Sequence, residues 1–467
     1  MKTIRLICWF VAALALAPSP GHAQPTLLAV GSLTKSRAGA NADLSGLTYN
    51  LENQHPANLL GGLGSGIAYD SGKKFLLLPD RGPNAVTFDA AIDNTTSYVN
   101  RFHTVRMDLD RNPDGPLPFT LTARLHDTTL LWNRNPLVYG PGAGLGVPSG
   151  VPPINKAHHH FFTGRSDNFD PARNSGNQNN ARFDPEGIRV SADGKSVFIS
   201  DEYGPYVYKF DRSSGARLRS YALPEKFYVT NQSPVGNDEI TRNTTGRTAN
   251  KGMEGLAITP DGNTLVGIMQ DALIQDASQG GAAANLLRIV AIDVASGATK
   301  EYAYLLTTGK GVSEILAINS HEFLVDERDG KGRQGASDGS SNNAVVKQLF
   351  KIDLADAVDI SNEDGLTATT HAVAKTLFLD LVAALTSNCI AANRIPAKIE
   401  GIAFGPDVRA DQHTRLHTLW VSNDNDFLLQ TADVPPVLNP NQFFVFGFTD
   451  DDLPDYVPPT HGLPFGD

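Results

Sequence analysis

Four glutamates stand directly before short apolar runs in four similar phrases of the sequence. They are Glu186, Glu254, Glu314 and Glu400. A second polar set follows the next apolar run of these phrases and of a fifth, related one: Asp80, Asp201, Glu202, Asp271, Asp326, Glu327, Asn423 and Asp424. Carboxylate and amide oxygens are the ligands of hard cations, and Ca²⁺ takes them in flexible geometry. The pattern therefore predicts a Ca²⁺ site, because converging carboxylates repel one another without a cation. The alternative is that each glutamate caps a turn or pairs with a basic neighbour.

Basic residues accompany these carboxylates. Arg182, Lys251, Lys310 and Lys398 precede the four glutamates, and Arg81, Arg328 and Arg394 lie near the same turns. A metal ion with basic side chains suits an anionic, phosphate-like substrate; alternatively, the basic residues only neutralise the carboxylates. The candidate catalytic residues are Glu254, Asp201, Glu202, Arg81 and Lys251. The candidate metal ligands are Glu186, Glu254, Glu314, Glu400, Asp201, Asp326 and Asp424.

The phrases also predict the elements that position these residues. Residues 183–211 hold three apolar runs, and an Asp-Gly pair separates the first two, which is a strong hairpin signal. Related phrases occur at 64–81, 251–271, 311–329 and 398–426, the first with Ser65 in place of the glutamate. Repeated antiparallel units of this kind predict an all-β fold, a β-propeller of four-stranded blades. Equivalent residues of the blades would then meet at one mouth of a central channel.

The spacing of the phrases predicts six blades in one domain, residues 24–467. Most phrases lie about 60 to 90 residues apart, but the gap between the first two fits two blades. Residues 102–109 and 119–125 would form part of the additional blade. Residues 132–181, rich in Gly, Pro and Asn, are expected to form a long lid-like loop. Residues 443–448 are expected to close the ring against an N-terminal strand.

The first 23 residues have the features of a secretory signal peptide. Lys2 and Arg5 precede an apolar run at 6–17, and small residues surround a cleavage site near Ala23. The run is too short to span a bilayer. We therefore expect a periplasmic or secreted protein with no membrane span.

Charge and cysteine content narrow the possible partners. The formal net charge is −11, and loss of Lys2 and Arg5 with the signal peptide makes it −13. This charge argues against nucleic acid and anionic membranes as partners. We expect a monomer whose partner is a small anionic ester or phosphoester substrate. Cys389 would be alone once Cys8 is removed, which excludes an internal disulfide. We expect Cys389 to fill apolar space.

Several phrases resemble one known family. They are D-P-E-G-I at 184–188, M-E-G-L-A at 253–257, I-E-G-I-A at 399–403, L-P-D-R-G-P-N at 78–84 and S-D-E-Y-G-P at 200–205. Together they resemble the phytase-like family described as having esterase-like activity of phytase, over about residues 44–448. The resemblance implies a β-propeller that hydrolyses phosphate or other esters in the periplasm or outside the cell. The acidic Asp-Ala-Glu/Asp-Asp-Pro phrase of β-propeller phytases is absent, so phytate is not the expected substrate.

Three functional hypotheses follow. The first is a Ca²⁺-dependent hydrolase of phosphoesters or related esters. The second is a lactonase or carboxylesterase on the same kind of metal-bearing propeller. The third is a non-catalytic propeller that binds a ligand or a protein and uses Ca²⁺ only for stability; it stays open because the sequence shows no clear pair of nucleophile and base.

Overall fold

The structure, a computed structural model, describes residues 24–335, 342–411, 413–431 and 436–459. Within these residues, five four-stranded antiparallel sheets are arranged as blades around one axis. This arrangement confirms the predicted β-propeller. The predicted signal peptide lies outside the described residues.

The strands are numbered from the axis outward, because the first strands of neighbouring blades contact one another. The innermost strands of blades 1 to 5 are Gly66–Ser71, Pro185–Val190, Met253–Ile258, Gly311–Ala317 and Ile399–Arg409. The second strands are Lys74–Leu78, Ser196–Asp201, Thr264–Met269, Glu322–Arg328 and Arg415–Asn423. The third are Arg101–Arg111, Tyr206–Asp211, Leu286–Asp293, Lys347–Asp353 and Asn441–Phe448. The outermost are Phe119–Leu130, Arg217–Ala222, Thr299–Leu305, Lys375–Asp380 and Thr26–Leu33.

Smaller elements lie in the connections between these strands. Two short ladders pair Lys35–Ser36 with Gly39–Ala40 and Trp132–Asn133 with His160–Phe161. The α-helices are Gly236–Arg242, Ile274–Ala277, Gly365–Thr369 and Leu381–Ser387. Single 3₁₀ turns are formed by Ala90–Ile92, Glu225–Phe227, Gly281–Asn285 and Ala392–Arg394.

The described residues form five blades, so the prediction of six is wrong by one. The strands Arg101–Arg111 and Phe119–Leu130, expected in an additional blade, are the two outer strands of blade 1. The repeated phrase covers only the two inner strands of a blade. The length between the first two phrases therefore belongs to these outer strands and to residues 132–181.

Blade 5 is completed by segments from opposite ends of the described chain. Thr26–Leu33 pairs antiparallel with Asn441–Phe448, as the sequence predicts. Leu28 and Ala29 of the first segment belong to the same apolar cluster as Val105 of blade 1. Closing the ring therefore also buries the contact between blades 5 and 1.

A buried ion pair, Arg189 with Glu314, crosses the channel and contacts every blade. The Arg189 guanidinium donates hydrogen bonds to the carbonyls of Ile67, Ile188, Ile315 and Ile402, which belong to blades 1, 2, 4 and 5. Glu314 Oε2 lies 2.9 Å from Arg189 Nη2, and Glu314 Oε1 accepts from the backbone N–H of Leu256 in blade 3. The pair therefore joins the inner strands of all five blades.

Residues 132–181 pack beside the propeller. Arg165 is buried and forms ion pairs with Asp167 at 2.6 Å and Glu52 at 3.0 Å. The hydroxyl of Tyr139 donates to the carbonyl of Phe161 within the segment. None of these residues lines the cavity described below, so the segment supports the fold instead of covering the site.

Cys389 is exposed after the helix Leu381–Ser387, with φ of 63°. The expectation that it fills apolar space is therefore wrong, because the helix buries Leu381 and Leu385 instead. Across the described ranges, no helix has both the length and the apolar character needed to cross a bilayer.

Candidate functional site

A cavity of about 290 Å³ lies where the inner strands begin, at the end of the channel that we call the upper mouth. The second strands run antiparallel to the inner ones and end at the same mouth; Met253 pairs with Met269, and Ile399 pairs with Asn423. The cavity brings together six of the ten candidate catalytic and metal-binding residues: Arg81, Glu186, Glu202, Lys251, Glu254 and Glu400.

A β-bulge presents the glutamate in three of the blades. The strand register shifts at Glu186, Glu254 and Glu400, and bulges of this kind redirect a side chain out of the ladder. Each glutamate is followed by glycine because the neighbouring inner strand is too close for a side chain. A Cβ on Gly255, for example, would lie 2.6 Å from the backbone nitrogen of Ile315.

Glu186 is a buried carboxylate with acidic neighbours. Its burial, followed by the charges of Glu254, Asp184, Glu202 and Asp80, raises its pKa well above the ordinary value. Within the described residues, no hydrogen bond or ion pair joins its carboxylate to another group. Oxygens of Asp184, Glu186 and Glu202 lie within 4.8 Å of one another. These three residues are called the carboxylate triad below.

Other carboxyl groups of the cavity also have raised pKa values. Burial raises the pKa of Glu202 to about 8, with Asp184 adding to the effect and Arg81 opposing it. Burial also raises the pKa of Asp80 to about 7. Burial and the charges of Glu202 and Glu400 raise the pKa of Glu254 well above its ordinary value. Each shift means that the cavity disfavours another negative charge unless a cation is present.

Four basic side chains already partly balance these acids. Arg81 Nη1 lies 3.0 Å from Asp184 Oδ2, and Arg328 Nη2 lies 2.6 Å from Glu400 Oε1 and 3.8 Å from Glu254 Oε1. Lys251 and Lys398 also face the cavity. Their ammonium groups pair with Asp271, at 2.7 Å, and with Asp424 and Asp426. The cavity therefore combines carboxylates with guanidinium and ammonium groups, as an anion-binding metal site requires.

Four predicted site residues do not line the cavity. Asp201 lies behind it and accepts from the backbone N–H groups of Asp184 and Tyr203. Asp326 is fully buried, and its carboxylate oxygens accept no hydrogen bond from the described residues. Asp424 pairs with Lys398.

Glu314, the fourth, is displaced by one position in the strand register. In blade 4 the bulge falls at Ser313, so Glu314 stands where the other blades have glycine. Its side chain consequently turns into the channel towards Arg189 and away from the cavity. The phrase V-S-E-I-L lacks the glycine after glutamate, and this difference is the sequence signal of the shift.

Asp184 was not singled out from the sequence, although it belongs to the carboxylate triad. Its Oδ1 accepts from the backbone N–H of Arg81 at 3.1 Å, which orients the carboxylate. The signal was present: Asp184 precedes Glu186 by two residues in D-P-E-G, a spacing that places both side chains on one side of an extended chain.

The donor set of the cavity fits a hard cation. All donors of the triad are carboxylate oxygens, which divalent ions such as Ca²⁺ or Mg²⁺ prefer. Glu400 Oε2 is buried and accepts no hydrogen bond from the described residues. Buried acceptors of this kind usually have a partner, and a bound cation would provide one while it relieves the repulsion at Glu186.

Comparisons with known proteins found a curated relative, distant solved structures and a family model. A curated relative, an uncharacterised secreted protein of Arthroderma benhamiae, is 32% identical over 185 residues, which cover 33% of this chain and 36% of that protein. The match thus spans about a third of the relative's length.

Two solved structures match the chain at low similarity. A putative 6-phosphogluconolactonase of Bacteroides uniformis is 12% identical, with 82% of this chain and 88% of that chain covered and a TM-score of 0.29. A gluconolactonase of Xanthomonas campestris is 10% identical, with 93% and 99% covered and a TM-score of 0.28. Similarity this distant carries no inference about chemistry.

The family model named phytase-like, described as esterase-like activity of phytase, matches residues 58–427 and so runs from blade 1 into blade 5. Since this range covers most of the chain and contains the cavity, the protein belongs to the phytase-like family.

Proposed function

We propose that the protein is an exported, calcium-dependent hydrolase of phosphoesters or related anionic esters, acting in the cavity at the upper mouth. The observation that carries the proposal is Glu186, a buried carboxylate with acidic neighbours, next to a guanidinium and an ammonium group. The family description, esterase-like activity of phytase, supports ester hydrolysis. The curated relative's description as secreted supports export.

The carboxylate triad, with Glu254 and Glu400 beside it, would hold the ion. Ca²⁺ in this position would supply Lewis acidity towards an ester oxygen and towards water. Arg81 and Lys251 would bind the anionic group of the substrate, Arg81 through its planar fork. Asp201 would position the triad, because it fixes the backbone on which Asp184 stands.

Glu254 is the best placed residue to accept a proton from the attacking water. It lines the cavity, and the nearest cationic nitrogen, Arg328 Nη2, lies 3.8 Å away, too far for a direct hydrogen bond. A carboxylate with free acceptor capacity can serve as a general base once substrate is bound.

The test is a hydrolysis screen with phosphomonoester, phosphodiester, phytate and lactone substrates, with and without chelator. We expect EDTA to abolish turnover of an anionic ester and added Ca²⁺ to restore it. Glu254→Gln should lower kcat by about 10²- to 10⁴-fold, whereas Glu225→Gln, at an exposed position that does not line the cavity, should not. Full turnover in EDTA would reject the proposal.

The second candidate is a non-catalytic propeller with structural calcium. It is favoured by the pairing of the cavity's cations with carboxylates, as in Arg328 with Glu400 and Lys251 with Asp271. In that case Ca²⁺ raises the melting temperature, but Glu254→Gln changes turnover on no ester. A lactonase would instead hydrolyse uncharged lactones and tolerate substitution of Arg81 or Lys251.

A further inference from the structure

Arg81 and the proposed ion share the same oxygens. Arg81 Nη1 lies 3.0 Å from Asp184 Oδ2, and Nη2 lies 3.8 Å from Glu202 Oε2. Asp184 and Glu202 are two of the three residues in the carboxylate triad. A divalent ion bound by the triad would therefore take the acceptors that now face the guanidinium, and the two positive groups would repel each other.

Among the described residues, the Arg81 guanidinium is held by carboxylates and donates no hydrogen bond to a backbone carbonyl. By contrast, Arg247 donates two N–H groups to the carbonyl of Tyr203, and Arg189 donates to several backbone carbonyls. Arg81 therefore loses ion pairs, and no hydrogen bond to a backbone carbonyl, when its guanidinium moves.

The backbone of Arg81 is nevertheless fixed at the site. Its N–H donates to Asp184 Oδ1 at 3.1 Å, and the following residue, Gly82, donates to Asp80 Oδ1 at 3.0 Å. The side chain lines the cavity and is 14% exposed. A change of rotamer would keep the guanidinium inside the cavity, where its five N–H donors can face a bound anion.

We propose that a divalent cation displaces the Arg81 guanidinium from Asp184 and Glu202 and so releases it to bind the anionic group of the ligand. This inference rests on the ion site of the proposed function. It makes cation and anion binding cooperative, because the cation removes the ion pairs that hold Arg81 away from the ligand. By linkage, the anion strengthens binding of the cation by the same factor. Arg81 thus sets the substrate class, an ester with a phosphate-like or carboxylate group.

Calorimetric titration of the chelator-treated full chain with Ca²⁺ tests the competition. We expect Arg81→Gln to bind Ca²⁺ at least about fivefold more tightly than the unsubstituted protein. Lys310→Gln is the matched control, since Lys310 also lines the cavity, is exposed and forms no ion pair within the described residues. Lys310→Gln removes one positive charge but leaves Arg81 paired with the carboxylate triad. It should therefore increase the affinity for Ca²⁺ clearly less than Arg81→Gln does.

Titration with phenylphosphonate, an anion whose P–C bond resists hydrolysis, tests the release. Ca²⁺ should raise its affinity at least about fivefold in the unsubstituted protein and in Lys310→Gln. This gain should largely disappear in Arg81→Gln. Arg81→Lys keeps the charge without the fork, so it should bind Ca²⁺ as the unsubstituted protein does but show a smaller gain for phenylphosphonate.

The outcomes separate this inference from the proposed function. If the protein binds Ca²⁺ but Arg81→Gln binds it no better than Lys310→Gln does, the competition is wrong and the ion site stands. If Ca²⁺ leaves phenylphosphonate affinity unchanged, the release is wrong. A protein that binds no Ca²⁺ refutes the ion site and this inference together. Circular dichroism of each variant establishes that it is folded.

Discussion

At Glu186, burial and repulsion from like charges act on one side chain. Its carboxylate is buried and its charged neighbours include Glu254, Asp184 and Glu202. A folded protein keeps such a group at a cost in stability, because burial and like charges both oppose its ionisation. Removing the charge should therefore stabilise the ion-free protein while it weakens the ion site.

Glu186→Gln should raise the free energy of unfolding of the calcium-free protein by about 1–3 kcal/mol at pH 7. The raised pKa means that the folded state keeps the proton after the unfolded chain has lost it. The unsubstituted protein therefore loses stability as pH rises above the ordinary carboxyl pKa, and the two proteins should converge near pH 4. Urea unfolding in EDTA at both pH values measures this difference.

The same variant should lose the stabilisation that Ca²⁺ provides. At 100 times the dissociation constant, a bound ion adds about 2.7 kcal/mol to the free energy of unfolding. Glu225→Gln, at an exposed position, serves as the control. It should keep both the calcium-free stability and the Ca²⁺-dependent stabilisation of the unsubstituted protein. A destabilised calcium-free Glu186→Gln would show that the carboxylate has a favourable partner and that the repulsion argument is wrong.

The inner strands form the element that positions the site. They begin together at the upper mouth, and the pair Arg189 with Glu314 holds them together across the channel. Breaking one half of a buried ion pair leaves an uncompensated charge and usually costs about 3–5 kcal/mol. The backbone carbonyls that accept hydrogen bonds from Arg189 would also lose their donor.

Arg189→Met should therefore lower the free energy of unfolding by about 3–5 kcal/mol, measured by urea unfolding. The matched control is Arg242→Met, which removes an exposed pair with Asp238 one helical turn away. That change should cost less than about 0.5 kcal/mol. Equal effects of the two substitutions would mean that the buried pair does not hold the inner strands together.

The strands could be predicted from the sequence because each inner hairpin carries its own local signal. Asp193 and Gly194 mark such a turn, and Gly194 adopts φ of 68° between paired strands. The convergence of Glu186, Glu254 and Glu400 followed from the same repeat. Local signals fail where a single residue shifts the register, as they did for Glu314, whose partner Arg189 is far away in the chain.

The blade count and the extent of the site could not be predicted in the same way. The outer strands of blade 1 resemble any other hairpin, and only their pairing with Lys74–Leu78 assigns them to that blade. Asp201 is the last residue of its strand, but backbone N–H groups hold it behind the cavity. The blade count and the extent of the site both depend on tertiary contacts, which the repeated phrases of the sequence do not show.

At the scale of the whole molecule, the ring depends on the pairing of Thr26–Leu33 with Asn441–Phe448. Ala29 of the first strand is fully buried between this pair and blade 1. The channel pair contacts all five blades and the closing strand joins blade 5 to blade 1, so the propeller should unfold as one cooperative unit.

Ala29→Asp should lower the free energy of unfolding by about 3 kcal/mol or more, because it buries an unpaired carboxylate at the closure. Circular dichroism should show a single transition shifted to lower temperature. Ser32→Asp, at an exposed position of the same strand, is the control and should change stability by less than about 0.5 kcal/mol. Two separate transitions would mean that blade 5 melts independently of the rest.

The ring closure also constrains how the polypeptide acquires its shape during synthesis. Thr26–Leu33 is translated before the other described strands, and its partner Asn441–Phe448 is translated after all of them. Blade 5 must therefore present an unsatisfied strand edge to its surroundings until Asn441–Phe448 has left the ribosome. Such edges invite aggregation, so a nascent chain halted before residue 441 should depend on a chaperone to stay in solution.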